Sequence, residues 1–144
     1  QLVDDLPHGD LPLTVEALSI DDHETLRLVL IDLAQRILSS IMQPDYIALM
    51  RVLVAEAPHF PQLGALFTAT APARAFRSIA IVLQEAQKRG CITVVDIDAA
   101  TRLLIGSLLT YAILDGLFVI DGPPRPPESA RITAIIDLYI RALT

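Results

Sequence analysis

Few residues of this chain have the type and spacing that catalysis or metal binding needs. The three histidines, His8, His23 and His59, are far apart in sequence, so no pair has the helical spacing that presents two metal ligands together. The sequence contains no G-x-S-x-G nucleophile motif, no G-x-G-x-x-G motif and no phosphate-binding P-loop. We therefore predict no catalytic residue, no metal site and no cofactor.

Two features in the middle of the chain allow both a reactive and a structural interpretation. Asp96 and Asp98 could bind a cation, but carboxylates at the start of a helix also cap it and favour its dipole, and we prefer this second interpretation. Cys91 lies beside Lys88 and Arg89, which favour a thiolate, yet the sequence has no second cysteine to resolve an oxidised one. A single cysteine forms no internal disulfide, which fits a cytoplasmic protein.

Small polar side chains inside apolar segments are the remaining candidates for a binding site. Ser107, Tyr111 and Asp115 follow one another at intervals of four and share a helix face. Such groups either hydrogen-bond the preceding turn and each other, or line a cavity and orient a ligand. Flexible and flat side chains elsewhere could form its apolar wall, although each could equally belong to the core. The candidate pocket residues are Met50, Phe60, Phe67, Phe76, Ser107, Tyr111 and Asp115.

The elements that position these residues are predicted to be helices throughout. Apolar residues recur with the helical period between capping residues and helix breakers, with Asp21 or Asp22 and Asp96 as N-caps and Gly90 as a left-handed C-cap. These signals predict six helices, at about 22–42, 45–57, 62–70, 72–89, 96–118 and 127–143. Strand-like alternation occurs only at 91–95, which we interpret as a turn. We predict an all-α helical bundle, with residues 1–20 as an N-terminal connector or loop.

The last two predicted helices carry more apolar surface than a domain of this size can cover. The fifth has apolar side chains around nearly its whole circumference, and a helix that is apolar all round must be buried all round. The economical solution is a homodimer in which both helices meet their copies in a four-helix bundle. The candidate interface residues are Leu104, Leu108, Ile132, Ile136, Tyr139 and Leu143.

Composition excludes several functional classes. The chain has 144 residues, 53% of them hydrophobic, which excludes intrinsic disorder. With 17 acidic and 11 basic residues its net charge is −6, which is unsuited to contacts with a nucleic-acid backbone. The apolar run Leu103–Leu114 is shorter than the about 20 residues of a membrane span, so we expect no membrane partner. Pro123–Pro127 resembles a polyproline recognition segment, and we interpret it as a stiff linker.

A resemblance to a known family begins in the second predicted helix. The segment Arg51-Val-Leu-Val-Ala-Glu-Ala-Pro-His-Phe-Pro-Gln-Leu63 resembles the R-x-x-x-A-E-A-x-x-F-P-x-L stretch of TetR/AcrR-family transcriptional regulators. Residues 72–74, 88–90 and 135–143 follow in the order of that family's C-terminal domain. The resemblance runs from about residue 11 to residue 143.

This resemblance implies an effector-binding and dimerisation domain, here residues 21–144, preceded by a helix-turn-helix domain that contacts operator DNA. The sequence begins with Gln1, and we expect it to be part of a longer protein. The resemblance also implies a repressor in which a small, mostly apolar effector changes the spacing of two DNA-reading heads. These heads must match major grooves roughly 34–36 Å apart. Effector residues vary within the family, so none is transferred by motif.

Two other functions remain open from the residues alone. The first is a helical adaptor domain that dimerises without a ligand. The second, which we rank last, is a small helical enzyme, because no nucleophile and base can be paired in the sequence.

Overall fold

The fold is known from a computed structural model of the chain, which describes residues 20–68 and 71–144, without the side chains of 66–68, 71 and 72. The predicted connector 1–20 therefore lies outside the described residues, apart from Ile20. Six α-helices are present: α1 (His23–Ile41), α2 (Pro44–Glu56), α3 (Pro61–Thr68), α4 (Ala71–Lys88), α5 (Ile97–Ala112) and α6 (Ser129–Leu143). The described residues contain no strand, and the predicted all-α fold with about six helices is confirmed.

Local signals in the sequence account for most of the helix ends. The Asp22 carboxylate accepts a hydrogen bond from the Thr25 amide at 2.7 Å and caps α1, and Asp96 caps α5 through the Ala99 amide at 3.1 Å. Pro44 occupies the first turn of α2, where its missing N–H costs nothing. Gly90 closes α4 with a φ of 79°, in the left-handed region that favours glycine.

The end of α5 differs from the prediction. The helix predicted to run to about Phe118 does continue to Leu117, but its α-helical part ends at Ala112 and Ile113–Leu117 form a π-helical turn. The Phe118 amide donates to the Ile113 carbonyl at 3.0 Å, a bond that spans five residues instead of four. We call Ile113–Leu117 the π turn. It contacts α2.

Most buried side chains belong to one cluster, the main core, built by α1, α4, α5 and α6. The helix α1 packs against the other three, and Leu30, Leu83, Leu108 and Ile136 are completely buried where they meet. Arg27 on α1 donates to Asp137 on α6 at 2.7 Å, which ties the first and last helices together. The Tyr139 hydroxyl donates to the Ala100 carbonyl on α5, and burial raises the pKa of this tyrosine above its usual range.

A second cluster, the small core, holds α2 in place. It consists of Tyr46, Ile47 and Met50 on α2, with Ile41 and Leu117 packed against them. Because Ile41 ends α1 and Leu117 ends the π turn, α2 is attached at the junction of these two elements. Its other neighbour is α3.

The helix that continues through the π turn, Ile97–Leu117, is apolar and long enough to cross a membrane by length and composition. The core helix of a water-soluble protein passes the same test, and α5 packs against α1, α4 and α6 on one side. On its other side large apolar side chains are uncovered. The expectation that this helix is buried all round is therefore not met within one copy of the chain.

Candidate functional site

The six residues predicted for a dimer interface lie inside the chain's own main core. Each of the six side chains is at most 7% exposed, and Leu108 and Ile136 are fully buried. These residues therefore hold α5 and α6 against the rest of the same copy, and they offer a second copy almost no surface. The sequence pattern identified the most apolar stripe of each helix, and a folded chain buries that stripe first.

The uncovered side of α5 and α6 is carried by a different set of residues. Leu103 is 65% exposed and Leu138 is 66% exposed. The two helices are antiparallel neighbours, since the Thr93 amide just before α5 donates to the carbonyl of Leu143 at the end of α6. We call this surface the α5/α6 face, and it comprises Leu103, Gly106, Leu109, Thr110, Ile113, Leu114, Ala134, Leu138 and Ala142.

Sequence reasoning missed these residues, although a signal for them exists. Leu103 and Thr110 are seven residues apart, and Thr110 and Leu114 are four apart, so the three follow one side of their helix. Leu138 and Ala142 are four apart and likewise share one side of α6. A helix with two apolar stripes allows either stripe to face inward. The neighbouring helices decide which of them becomes the surface.

The apolar residues predicted for a ligand pocket are spread over three helices. Met50 is buried in the small core, and Phe60 is 47% exposed just before α3. Phe76 on α4 is half-buried, with the Arg102 guanidinium 5.4 Å from the centre of its ring. Phe67 lies on α3, and its side chain is outside the described residues.

The polar residues predicted for the same pocket lie on another side of α5. Ser107 is five positions beyond Arg102, which contacts Phe76, and five positions correspond to about 140° around a helix. The Ser107 hydroxyl donates to the Leu104 carbonyl at 2.7 Å, so it bonds the preceding turn of its own helix. Tyr111 packs against the main core, and Asp115 lies half-buried in the π turn. The structure does not gather these polar groups around Phe76.

The two candidate reactive features are structural in the described part of the chain. Asp96 caps α5, and Asp98 accepts from Arg102 at 2.8 Å. The Cys91 thiol is 3.7 Å from the Ile20 carbonyl, which places it beside the start of the described chain. Among the described residues no three His, Cys, Asp or Glu side chains are grouped so that they could hold a metal ion.

One contact was not foreseen and involves the first residue of the family-like segment. The guanidinium of Arg51, on α2, donates to three backbone carbonyls after α5: Leu117 at 3.1 Å, Gly116 at 3.2 Å and Val119 at 2.7 Å. Carbonyls at a helix end lack partners within the helix and carry its negative dipole end, so a cation satisfies them well. Arg51 therefore clamps the end of the π turn to α2.

Comparisons with known proteins agree with this architecture. The family of AefR-like transcriptional repressor C-terminal domains matches residues 28–142 of the chain. A crystal structure assigned to the TetR family of transcriptional regulators, from Mesorhizobium loti MAFF303099, superposes with a TM-score of 0.63 at 23% identity. The superposition covers 83% of this chain and 64% of that one, so this chain spans less than two thirds of that protein's length. No curated protein matches the sequence.

Proposed function

Because the chain belongs to the family of AefR-like transcriptional repressor C-terminal domains, within the TetR-family regulators, we propose that it is the effector-binding and dimerisation domain of a transcriptional repressor. The family is one of transcriptional regulators and not a class of enzymes. Regulators of this family generally act as dimers that bind DNA and small-molecule effectors. The protein is proposed to act in the cytoplasm.

The observation that carries the dimer is the α5/α6 face. Leu103, Leu114 and Leu138 are each at least 60% exposed, and all three belong to this one face. Single exposed leucines are ordinary at a protein surface, so it is their grouping that indicates a partner. Small residues, Gly106 and Ala134, lie on the same two helices and allow close approach of another helix. Two copies related by a twofold axis would cover both helices at once, which gives a four-helix bundle.

The proposed effector is a small, mostly apolar molecule bound beside α2, α3 and α4. These helices and the residue before α3 carry several apolar side chains. Val52, Val54 and Phe60 are exposed, Phe76 is half-buried and Met50 is buried. Met50, Phe60, Phe67 and Phe76 form the wall in this proposal. Ser107, Tyr111 and Asp115 are the polar contacts proposed from the sequence. They lie on another side of α5 from Phe76, and the Ser107 hydroxyl donates to the Leu104 carbonyl, so an effector would reach them only after the helices rearrange.

Operator DNA would be contacted by a domain N-terminal to this chain. The net charge of −6 is unfavourable for phosphate contacts by the present chain. An effector that binds one arrangement of the helices more tightly would shift the dimer between two spacings of the DNA-reading domains.

The dimer is tested with a charge placed on the α5/α6 face. We expect the wild-type chain to sediment as a dimer at micromolar concentration and Leu138→Glu to sediment as a monomer with unchanged helical circular dichroism. Leu28→Glu is the matched control, because Leu28 is 56% exposed on α1, away from this face, and its variant should remain a dimer. A monomeric wild-type chain, or equal weakening by both variants, would overturn the interface.

Effector binding is tested separately from dimerisation. Native mass spectrometry of the purified dimer should show a co-purifying small molecule, or else the fluorescence of 8-anilinonaphthalene-1-sulfonate should rise and saturate on addition of protein. Phe76→Glu should reduce either signal, and Leu28→Glu should leave it unchanged. A folded dimer that binds no small molecule by either measurement would favour the ligand-free adaptor.

A further inference from the structure

The contact between Arg51 and the π turn joins the two regions to which different functions have been proposed. Arg51 belongs to α2, beside the proposed effector site, and the π turn belongs to the helix of the α5/α6 face. We propose that Arg51 is a positioning residue that holds Ile113–Leu117 in the π register and thereby sets the direction of Phe118, the exposed apolar residue directly after the turn, for contact with a second copy. The inference rests on the proposed function for the identity of the partner.

The first argument is the geometry of the contact. One guanidinium reaches three carbonyls at 2.7–3.2 Å, and these belong to Gly116, Leu117 and Val119, at the end of the π turn and just beyond it. A planar guanidinium with five N–H donors can serve several acceptors at once in a fixed geometry. The contact therefore constrains the orientation of consecutive peptide groups.

The second argument is the close approach of buried side chains to the backbone of Gly116. A Cβ on Gly116 would lie 2.8 Å from Cδ1 of Ile47 and 3.7 Å from Cε of Met42. Ile47 is only 1% exposed, so its side chain has little space to give way. The absence of a side chain at position 116 is what lets α2 come near enough for Arg51 to reach the carbonyls.

The third argument is what the register controls. A π turn has one residue more than an α-turn, so its conversion to α-helix rotates all later residues by about 100° about the axis. Phe118, which follows the π turn directly, is 64% exposed in the present register. The conversion would turn Phe118 and the segment after it away from their present direction. Movement of α2 by a ligand would then change the surface that a second copy meets.

The register is tested by amide hydrogen exchange in the whole chain. In Arg51→Met, which keeps an unbranched stem like that of arginine and removes the guanidinium donors, we expect exchange of the amides of 113–119 to become about tenfold faster or more. Arg51→Lys should have an intermediate effect, because an ammonium does not present the planar fork of donors. Arg77→Met is the control, since Arg77, in the described part of the chain, donates a hydrogen bond to the Ala73 carbonyl of its own helix at 3.4 Å.

The outcome of this measurement decides the first half of the proposal. Unchanged exchange at 113–119 in Arg51→Met would overturn it. So would equal acceleration in the main-core segments 26–38 and 100–108, because Arg51 would then contribute general stability only.

A second pair of variants tests the close approach without touching the arginine. Gly116→Ala should accelerate exchange in the same segment, and Gly116→Ala combined with Ile47→Val should restore it, because valine lacks the Cδ1 atom that the new Cβ meets. Wild-type exchange in Gly116→Ala, or no recovery in the double variant, would overturn the requirement for glycine.

Sedimentation equilibrium tests the second half. Arg51→Met should raise the dimer dissociation constant about tenfold or more relative to both wild type and Arg77→Met. An unchanged constant would show that the clamp does not position the interface. A wild-type chain that is monomeric throughout would overturn the dimer proposed above, and the exchange data would still decide whether Arg51 sets the register.

Discussion

The main core and the small core are held together in different ways. The main core joins four helices, and its central side chains are fully buried from several directions. The small core has three buried residues on one helix, and a polar contact from Arg51 completes the attachment of α2. A structure with one large and one small cluster can move the smaller part without unfolding, because the cost of separating surfaces follows the apolar area involved.

This difference would suit the proposed response to an effector. The main core fixes the positions of α5 and α6 relative to α1, and it therefore holds the two helices of the proposed dimer face in a constant arrangement. The small core leaves α2 with few buried contacts of its own, beside the apolar side chains proposed to meet the effector. The π turn is the element that both parts share.

The largest expected effect lies in the main core. Leu104→Ala should lower the free energy of unfolding by about 2–5 kcal/mol, because Leu104 is 1% exposed and its truncation leaves a cavity. Leu103→Ala, one position along and mostly exposed, should change it by less than about 0.5 kcal/mol in a monomeric background such as Leu138→Glu. Urea unfolding measures both values. Similar decreases in the free energy of unfolding for the two variants would contradict the burial of the Leu104 side of α5 and the exposure of the Leu103 side.

A smaller and more local effect is expected in the small core. Met50→Ala should lower the free energy of unfolding by about 1–2 kcal/mol, at or below the lower end for buried methionine, because α2 can close part of the cavity. Hydrogen exchange should become faster in α2 and the π turn and stay unchanged in α1 and α6. Equal acceleration in both regions would mean that the two cores unfold as one unit.

The smallest effect at neutral pH comes from a buried tyrosine. Burial raises the pKa of Tyr46 from the ordinary 10.0 to about 12, so the folded state disfavours its phenolate. This contribution to stability is fully present below about pH 10 and is lost as the pH rises through about 12. Tyr46→Phe should therefore reduce the decrease in the free energy of unfolding between about pH 10 and pH 12. Urea unfolding followed by circular dichroism at each pH measures this decrease. An unchanged alkaline profile would contradict the burial of the hydroxyl in the small core.

Particular residues show how far the sequence could lead. Asp22, Gly90 and Asp96 mark helix ends through contacts within a few residues, and all three behave as predicted. The polar residues of α5 allowed two interpretations. Ser107 and Thr110 bond carbonyls of the preceding turn at 2.7 Å, and Tyr111 packs on the main core. The predicted pocket residues therefore remain a proposal whose parts lie on different sides of α5.

The sequence by itself determined the number of helices, most of their ends and the family, because caps, helix breakers and the period of apolar residues act over short distances. Only the tertiary structure decided which stripe of α5 faces inward, and it exchanged Leu104 and Leu108 for Leu103 and Leu114 at the surface. It also joined the end of the π turn to α2, since three carbonyls at that end and just beyond it accept from an arginine 65 to 68 positions earlier in the chain. Burial and register depend on neighbours that are distant in sequence, and no local pattern records them.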